Sequence, residues 1–476
     1  MDKQVLQRAV EFIDSWLAYR SAQVEMPGFA VAIAHDGVTV LERAYGFANL
    51  EKRIPMKTDH LFRIASHSKT FAATAVMQLA EKGKLNIDEP MVKHIEWLRK
   101  HKDPRMAQIT PRQVMSHSAG LIRDGLESNW WQLTVGFPDL EQLKKEVLKS
   151  DLIFDNNQEM KYSNTGYALL GCLIEEVSGI SFNEYIRDNI IDALRLSDTH
   201  PDYSREFSAR LATGYSRRDA QKERLPIAQE IEAKAMASAG GVCSNLSDMC
   251  EYFGGHFVGN GKLLNDETKK EMQRTQWRLK EAKDNEEYGL GLEIDYAGSH
   301  RLFGHGGAFP GYRTRSLCDP QDKLVIVVLT NAIDGEAKDI AKGIFFAIDH
   351  FSKSAEDCDP AKHEHLCSYQ GRFTDIWGDI DIVEHGRKLL VIEPQSWFPF
   401  GFYSYTQTLE PVDDRTWKIA TAGGYYSRGE LVKYYFNKDG TIKSVRYAGR
   451  EMLPEHAFAE KMEKLKKQQL ALPCPV

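Results

Sequence analysis

Near residue 352 the patterning of the chain changes, and that change limits what it can fold into. Before it, stretches of helical period mix with strand-like runs. Residues 352–360, Ser-Lys-Ser-Ala-Glu-Asp-Cys-Asp-Pro, are polar and aperiodic, as a linker would be. Beyond them, short alternating segments at 379–383 and 389–392 are parted by His385-Gly386. Asp413-Asp414 marks a further turn, and Asn437-Lys438-Asp439-Gly440 joins the runs 432–436 and 441–445. Short strands at this spacing predict an antiparallel barrel or sandwich of about a hundred residues. The expected division is a domain over 1–352, a linker over 353–366, a barrel over 367–460 and a charged tail over 461–476. Trp377, Trp397 and Trp417 are expected in the barrel core.

Bulk properties exclude several classes of function. Apolar residues make up 42% of the 476 and charged residues 27%, which fits a soluble globular protein. A formal net charge of -7 gives no reason to expect nucleic acid or an anionic membrane as partner. No apolar run is long enough for a transmembrane helix. At the amino end, Leu6, Ala9, Val10, Ile13, Trp16 and Leu17 share one helical face, with Asp2, Lys3, Arg8, Glu11 and Asp14 off it. That is an amphipathic helix packed on a domain rather than a signal peptide, and the expected location is the cytoplasm. The odd cysteine count, seven, favours free thiols. Cys358, His363, His365 and Cys367 are too irregularly spaced to suggest zinc, so no metal is expected.

Chemistry enters at Ser66-His67-Ser68-Lys69. A Ser-x-x-Lys spacing at a helix start places hydroxyl and amine one turn apart on one face. A neutral amine there can take the serine proton, making the pair a nucleophile with its own base. Ala72, Val76, Leu79 and Ala80 continue the helical period to Gly83, so Ser66 lies where the helix dipole favours negative charge. The plainer alternative is Ser66 as an N-cap and Lys69 as an exposed first-turn lysine.

Two further motifs follow. Tyr162-Ser163-Asn164 precedes an apolar helix ending near Gly179, with Asn164 or Thr165 as its expected cap. Tyr162 could be core or could face a cleft; beside a lysine ammonium its pKa would fall, and it could pass a proton to a leaving group. His305-Gly306-Gly307 lies in a glycine-rich strand of the kind that lets a ligand backbone run alongside, although His305 taken alone reads as a satisfied histidine on a strand. A strand from Tyr312, a turn at Asp319-Pro320-Gln321-Asp322 and the apolar run 324–329 then predict an antiparallel hairpin in a central sheet.

In this order and at these separations, the three motifs resemble the serine β-lactamase and penicillin-binding-protein superfamily. Residues 61–66, 77–85, 109–121 and 239–242 resemble its class C, CubicO-like branch, and the likeness spans about residues 5–350. It implies an α/β (α+β) domain in which an antiparallel sheet flanked by helices adjoins an all-helical subdomain, followed here by a lipocalin-like barrel. It implies Ser66 as acylated nucleophile, Lys69 as its base, Tyr162 as proton carrier and Asn164 as a substrate contact. His305-Gly306-Gly307 takes the place of the family's Lys-Thr-Gly, and the N–H groups of Ser66 and Ala308 form the implied oxyanion hole. No metal or organic cofactor is implied. His305 is charged only part of the time near neutral pH, and Gly306 offers no hydroxyl, so a substrate's terminal carboxylate is poorly served. The variant with its barrel is more similar to the D-aminopeptidase and D-amino-acid-peptidase members. The expected function is a serine peptidase or amidase on small molecules or short peptides, with D-residues included and homo-oligomers within the branch's habits. An esterase, a β-lactamase and a catalytically silent peptide- or acyl-binding protein are the other readings. Variable loops at 124–137 and at 203–226 are expected to line the substrate pocket, with Trp130 and Trp131 either an apolar substrate wall or buried structure.

Overall fold

The computed structural model describes residues 1–227, 230–279, 286–353, 366–385, 388–400, 406–421 and 427–470, with side chains to 467. Most of the expected linker, with Cys358, His363 and His365, lies outside the described residues, as do Gly386 and Cys474. Backbone contacts divide the chain into two compact units, Glu25–Ala341 and a second made of Met1–Val24 with Lys342–Val476. The amino-terminal helix, assigned from sequence to the first region, is thus grouped with the carboxy-terminal one.

The unit Glu25–Ala341 is built on a sheet of nine strands. In chain order its elements are β1 (Gly28–His35), β2 (Val38–Asn49), β3 (Ile54–Pro55), β4 (Phe62–Arg63), β5 (Cys243–Ser244) and β6 (Trp277–Arg278). They continue with β7 (Glu287–Tyr288), β8 (Glu293–Ala297), β9 (His300–Phe309), β10 (Tyr312–Asp319) and β11 (Leu324–Thr330). The sheet order is β3-β2-β1-β11-β10-β9-β8-β7-β6, with β4 and β5 paired separately. β9, β10 and β11 pair antiparallel, which places the expected hairpin in the middle of the sheet. All seven residues of β11 are buried, as its unbroken Val/Ile/Leu run requires.

Helices Ser68–Glu81 and Asn164–Ser178 form the core beside the sheet. Residues 68–79 are buried all round, which small Ala72, Ala73 and Ala75 permit. Gly179, at φ 78, ends the second helix in the left-handed C-cap its sequence suggests. Its N-cap is Ser163, whose Oγ accepts from the Gly166 N–H at 2.9 Å, rather than Asn164 or Thr165. The short serine side chain reaches back over the first turn, and the Asn164 amide is used elsewhere.

In the second unit eight strands close a barrel: β12 (Gly371–Asp375), β13 (Gly378–His385), β14 (Lys388–Ile392), β15 (Gln407–Asp413), β16 (Thr416–Thr421), β17 (Leu431–Phe436), β18 (Ile442–Tyr447) and β19 (Arg450–Pro454). Alternating residues such as Phe373, Ile382, Leu409, Ile419, Val432 and Val445 fill it. Of the three tryptophans expected there, only Trp417 belongs to that core. Trp377 is 81% exposed, because it sits at the β12–β13 turn, where Asp375 Oδ1 accepts its N–H. Trp397 is buried against helix Lys3–Gln23, 5.7 Å edge-on from Trp16 and with the Arg20 guanidinium 4.2 Å over its ring. Asp2 caps that helix by accepting from the Gln4 and Val5 N–H groups. Residues 461–467, expected as a charged tail, lie within helix Glu455–Leu470.

Among the described residues no helix is long and apolar enough to cross a membrane. Cys172, Cys243, Cys250 and Cys318 are free and buried, and Cys367 is free and exposed.

Candidate active site

Ser66 sits in a single 3-10 turn, Ala65–His67, that leads into helix Ser68–Glu81. Ala65 adopts φ 54, a left-handed conformation unusual for a residue with a Cβ. The turn is held from three directions. Ser68 Oγ donates to Ala65 O at 2.6 Å and accepts from the Val242 N–H at 3.0 Å. His67 Nδ1 lies 3.0 Å from Ile64 O, and its Nε2 lies 3.1 Å from Ser316 Oγ on β10. Burial pushes the His67 pKa down to about 3, so this pin is neutral. Gly307 lets β9 pass against the turn, since a Cβ there would meet Thr314 Oγ1 at 2.1 Å and Ile64 O at 2.3 Å. Ser66 caps nothing; it is half-buried and lines a cleft of about 1280 Å³.

Lys69 is fully buried, not an exposed first-turn lysine. Its Nζ donates to Ala239 O at 2.7 Å and lies 3.1 Å from Ser66 Oγ. Burial holds its pKa well below the ordinary lysine value, against the smaller opposing pull of Asp124. A neutral amine at this distance can accept the serine proton.

Tyr162 lies beside this pair, with Lys69 Nζ 4.8 Å from its ring centre. Its pKa is raised above the usual phenol value, burial being the largest cause and the nearby Ser66 hydroxyl a partial offset. The expected depression of that pKa is overturned: burial of the phenol disfavours the phenolate by more than its surroundings favour it. Beneath Tyr162 lies His117, whose ring is 4.2 Å away and whose Nδ1 accepts the Ser163 N–H at 3.1 Å.

Asn164 lines the cleft, and its Nδ2 donates to Asp124 Oδ1 at 2.5 Å. Because a carboxylate only accepts, that bond fixes which way the amide points. Gly306, Gly307 and Ala308 also line the cleft, but His305 does not. Its ring is fully buried, with Nδ1 donating to Gly306 O at 2.6 Å and Nε2 2.9 Å from Tyr288 OH. Burial lowers its pKa below the ordinary histidine value. The motif's backbone therefore faces the cleft while its imidazole braces the strand from behind.

Three cleft residues were not anticipated. Tyr288 is on a two-residue strand, too short to give a period. Glu293 and Asp295 share the buried Arg315, whose Nη1 binds Glu293 and whose Nη2 lies 3.1 Å from Asp295 Oδ2. Glu293 is held ionised, at about 2: its burial is outweighed by His305, Arg315 and the Gly306 N–H. Such a triad pairs residues twenty or more apart and has no local signal. Among the described residues, His300, Asp319 and Asp322 form the one candidate metal cluster. It is outside the cleft lining, and His300 Nδ1 already lies 2.7 Å from Asp319 Oδ2.

The model of the family described as Beta-lactamase matches residues 13–345. In sequence, the chain is similar to "Protein flp" of Staphylococcus aureus (strain MW2), 25% identical over 203 residues. That match takes in 43% of this chain and 40% of that protein, so the chain spans under half the length of this relative. In structure, it is similar to the octameric penicillin-binding protein homologue from Pyrococcus abyssi, with TM-score 0.64 and 22% identity, over 93% of this chain and 99% of that one. It is also similar to the D-amino acid amidase from Ochrobactrum anthropi SV3, with TM-score 0.59 and 25% identity, over 72% and 99% of the two chains.

Proposed function

The chain belongs to the Beta-lactamase family, and from that premise we propose that it is a serine hydrolase acylated on Ser66, acting as an amidase or peptidase on small peptides, those with D-residues included. The observation that carries this reading is the buried Lys69 Nζ 3.1 Å from Ser66 Oγ, with the Tyr162 ring centre 4.8 Å from the same amine.

In the proposed reaction, Ser66 Oγ attacks the carbonyl carbon as its proton passes to Lys69 Nζ. The oxyanion is taken by the N–H groups of Ser66 and Ala308, at the helix start and on β9. The C–N bond breaks as Tyr162 gives its proton to the leaving nitrogen, and the Lys69 ammonium returns a proton to the phenolate. Water then attacks the ester, passing a proton to the same pair, and Ser66 leaves protonated.

Amide cleavage is supported by the place of Tyr162: an amine leaving group needs a proton as it departs, and this phenol stands beside the Ser66–Lys69 pair, 4.8 Å from Lys69 Nζ at its ring centre. The similar D-amino acid amidase supports the same choice. Recognition of a free substrate carboxylate is disfavoured: His305 is buried and out of the cleft, and the ionised group beside Gly306 is Glu293. We further propose self-association, by analogy with the octameric homologue, to be tested by light scattering.

The test is hydrolysis of matched D- and L-aminoacyl p-nitroanilides beside a p-nitrophenyl ester, by wild type and Ser66→Ala. Anilide cleavage lost in the variant supports the amidase, and the D/L ratio sets the stereochemistry. Ester cleavage alone would replace it with the esterase reading, and hydrolysis surviving Ser66→Ala would end both.

A further inference from the structure

Two neighbouring tryptophans in the 124–137 loop have different surroundings. Trp130 is 7% exposed and is absent from the cleft lining, whereas Trp131 is half-buried and lines the cleft that holds Ser66. The Trp131 ring stands edge-on to Phe137 at 5.0 Å and to Phe309 at 6.0 Å. Phe309 is stacked on Phe137 and has the Arg63 guanidinium 4.5 Å over its ring, so the wall is backed by a fixed layer.

This wall touches the reacting centre at two points in the chain. Phe309 follows Ala308. On the other side, Gly240 follows Ala239, whose carbonyl holds Lys69 Nζ, and a Cβ on Gly240 would lie 3.3 Å from the tip of the indole. The Trp131 Nε1–H is enclosed and has no acceptor among the described residues, so what the residue offers the cleft is ring carbon. Leu133 and Met160 extend the same apolar lining.

We propose that Trp131 is a specificity-determining residue, and that the wall it forms with Phe309 takes the side chain of the acyl part of the substrate, selecting aromatic or large apolar residues over glycine. This rests on the hydrolase reading above. An aromatic side chain laid on the wall loses its water contact, whereas glycine buries nothing there.

The experiment compares glycyl and phenylalanyl p-nitroanilides, in the configuration wild type prefers, with Trp131→Ala and Trp131→Phe. The leaving group is the same in both substrates, so the ratio of kcat/KM reports the acyl side chain alone. Wild type should favour phenylalanyl by about 10- to 100-fold. Trp131→Ala should reduce that ratio to about threefold or less, and Trp131→Phe should restore most of it. A wild-type ratio near one, or a ratio that Trp131→Ala leaves unchanged, overturns the proposal. Should the alanine variant unfold, Trp131→Leu carries the same comparison, with the ratio expected between those of wild type and glycine-like selectivity. If hydrolysis proves independent of Ser66, the hydrolase reading fails separately, and calorimetry with phenylacetate and acetate decides the wall. Tighter phenylacetate binding that is lost in Trp131→Ala would sustain it, and equal binding would overturn it.

Discussion

Replacing Gly307 with alanine tests whether the fit of β9 against the Ser66 turn matters to activity. The new Cβ would stand 2.1 Å from Thr314 Oγ1 and 2.3 Å from Ile64 O, where ordinary contact begins at 3.4 Å. One obstacle is backbone and the other is a hydroxyl that also contacts His67 Nδ1 at 3.1 Å, so neither can swing aside freely. The strand and the turn must part by about 1 Å. A displacement of that size in a catalytic constellation costs on the order of 10²-fold in rate. Overpacking of this kind costs about 1–3 kcal/mol of stability. Gly306→Ala is the internal comparison: its Cβ would meet only side-chain ends, Arg315 Nη1 at 3.3 Å and the Glu293 carboxylate oxygens at 3.7 and 3.8 Å, and losses should stay within about tenfold. The assay is kcat/KM on the best anilide together with a denaturant midpoint for each variant. Gly307→Ala with wild-type rate and midpoint would refute the argument that β9 and the nucleophile turn are locked together.

Other outcomes follow from the same geometry. Lys69 must be neutral to accept the serine proton, and burial lowers its pKa, so kcat/KM should rise with pH through an acidic limb belonging to Lys69 and lying below the ordinary lysine range. Tyr162 is raised, so no alkaline fall should come from its ionisation below about pH 10, read with a substrate that has no titratable amine. Lys69→Met should lower turnover by more than about 10³-fold, since the proposed nucleophile and base would act as a unit, with circular dichroism confirming a folded chain. In the barrel, Trp417→Ala should cost about 3–5 kcal/mol and Trp377→Ala less than about 0.5 kcal/mol, because the first ring is enclosed and the second is 81% exposed. Equal midpoint shifts in urea would contradict the placement of the two rings.

What could be read from the sequence was local. The helix from Ser68, the β10–β11 hairpin and the barrel turn at Asn437-Lys438-Asp439-Gly440 each have period and punctuation within a dozen residues, and each stands where expected. Ser66 and Lys69, one helical turn apart, were legible for the same reason. What was not legible depended on distant partners. The Tyr162 pKa turns on how deeply the phenol is buried, which residues far away in the chain decide. His305 looked like a substrate contact, yet it is buried behind the strand it belongs to, with Tyr288 and Glu293 brought to it by β7 and β8. Trp377 and Trp417 are indistinguishable by type, and only the barrel closure puts one at a turn and the other in the core.

The central claim is that Ser66 is a nucleophile activated by Lys69. Labelling with a serine-reactive phosphonate, followed by intact mass and peptide mapping, tests it without any assumption about substrate. A single adduct is expected on the peptide carrying Ser66, absent in Ser66→Ala and strongly slowed in Lys69→Met. An unlabelled wild type, or an adduct that persists in Ser66→Ala, would contradict it.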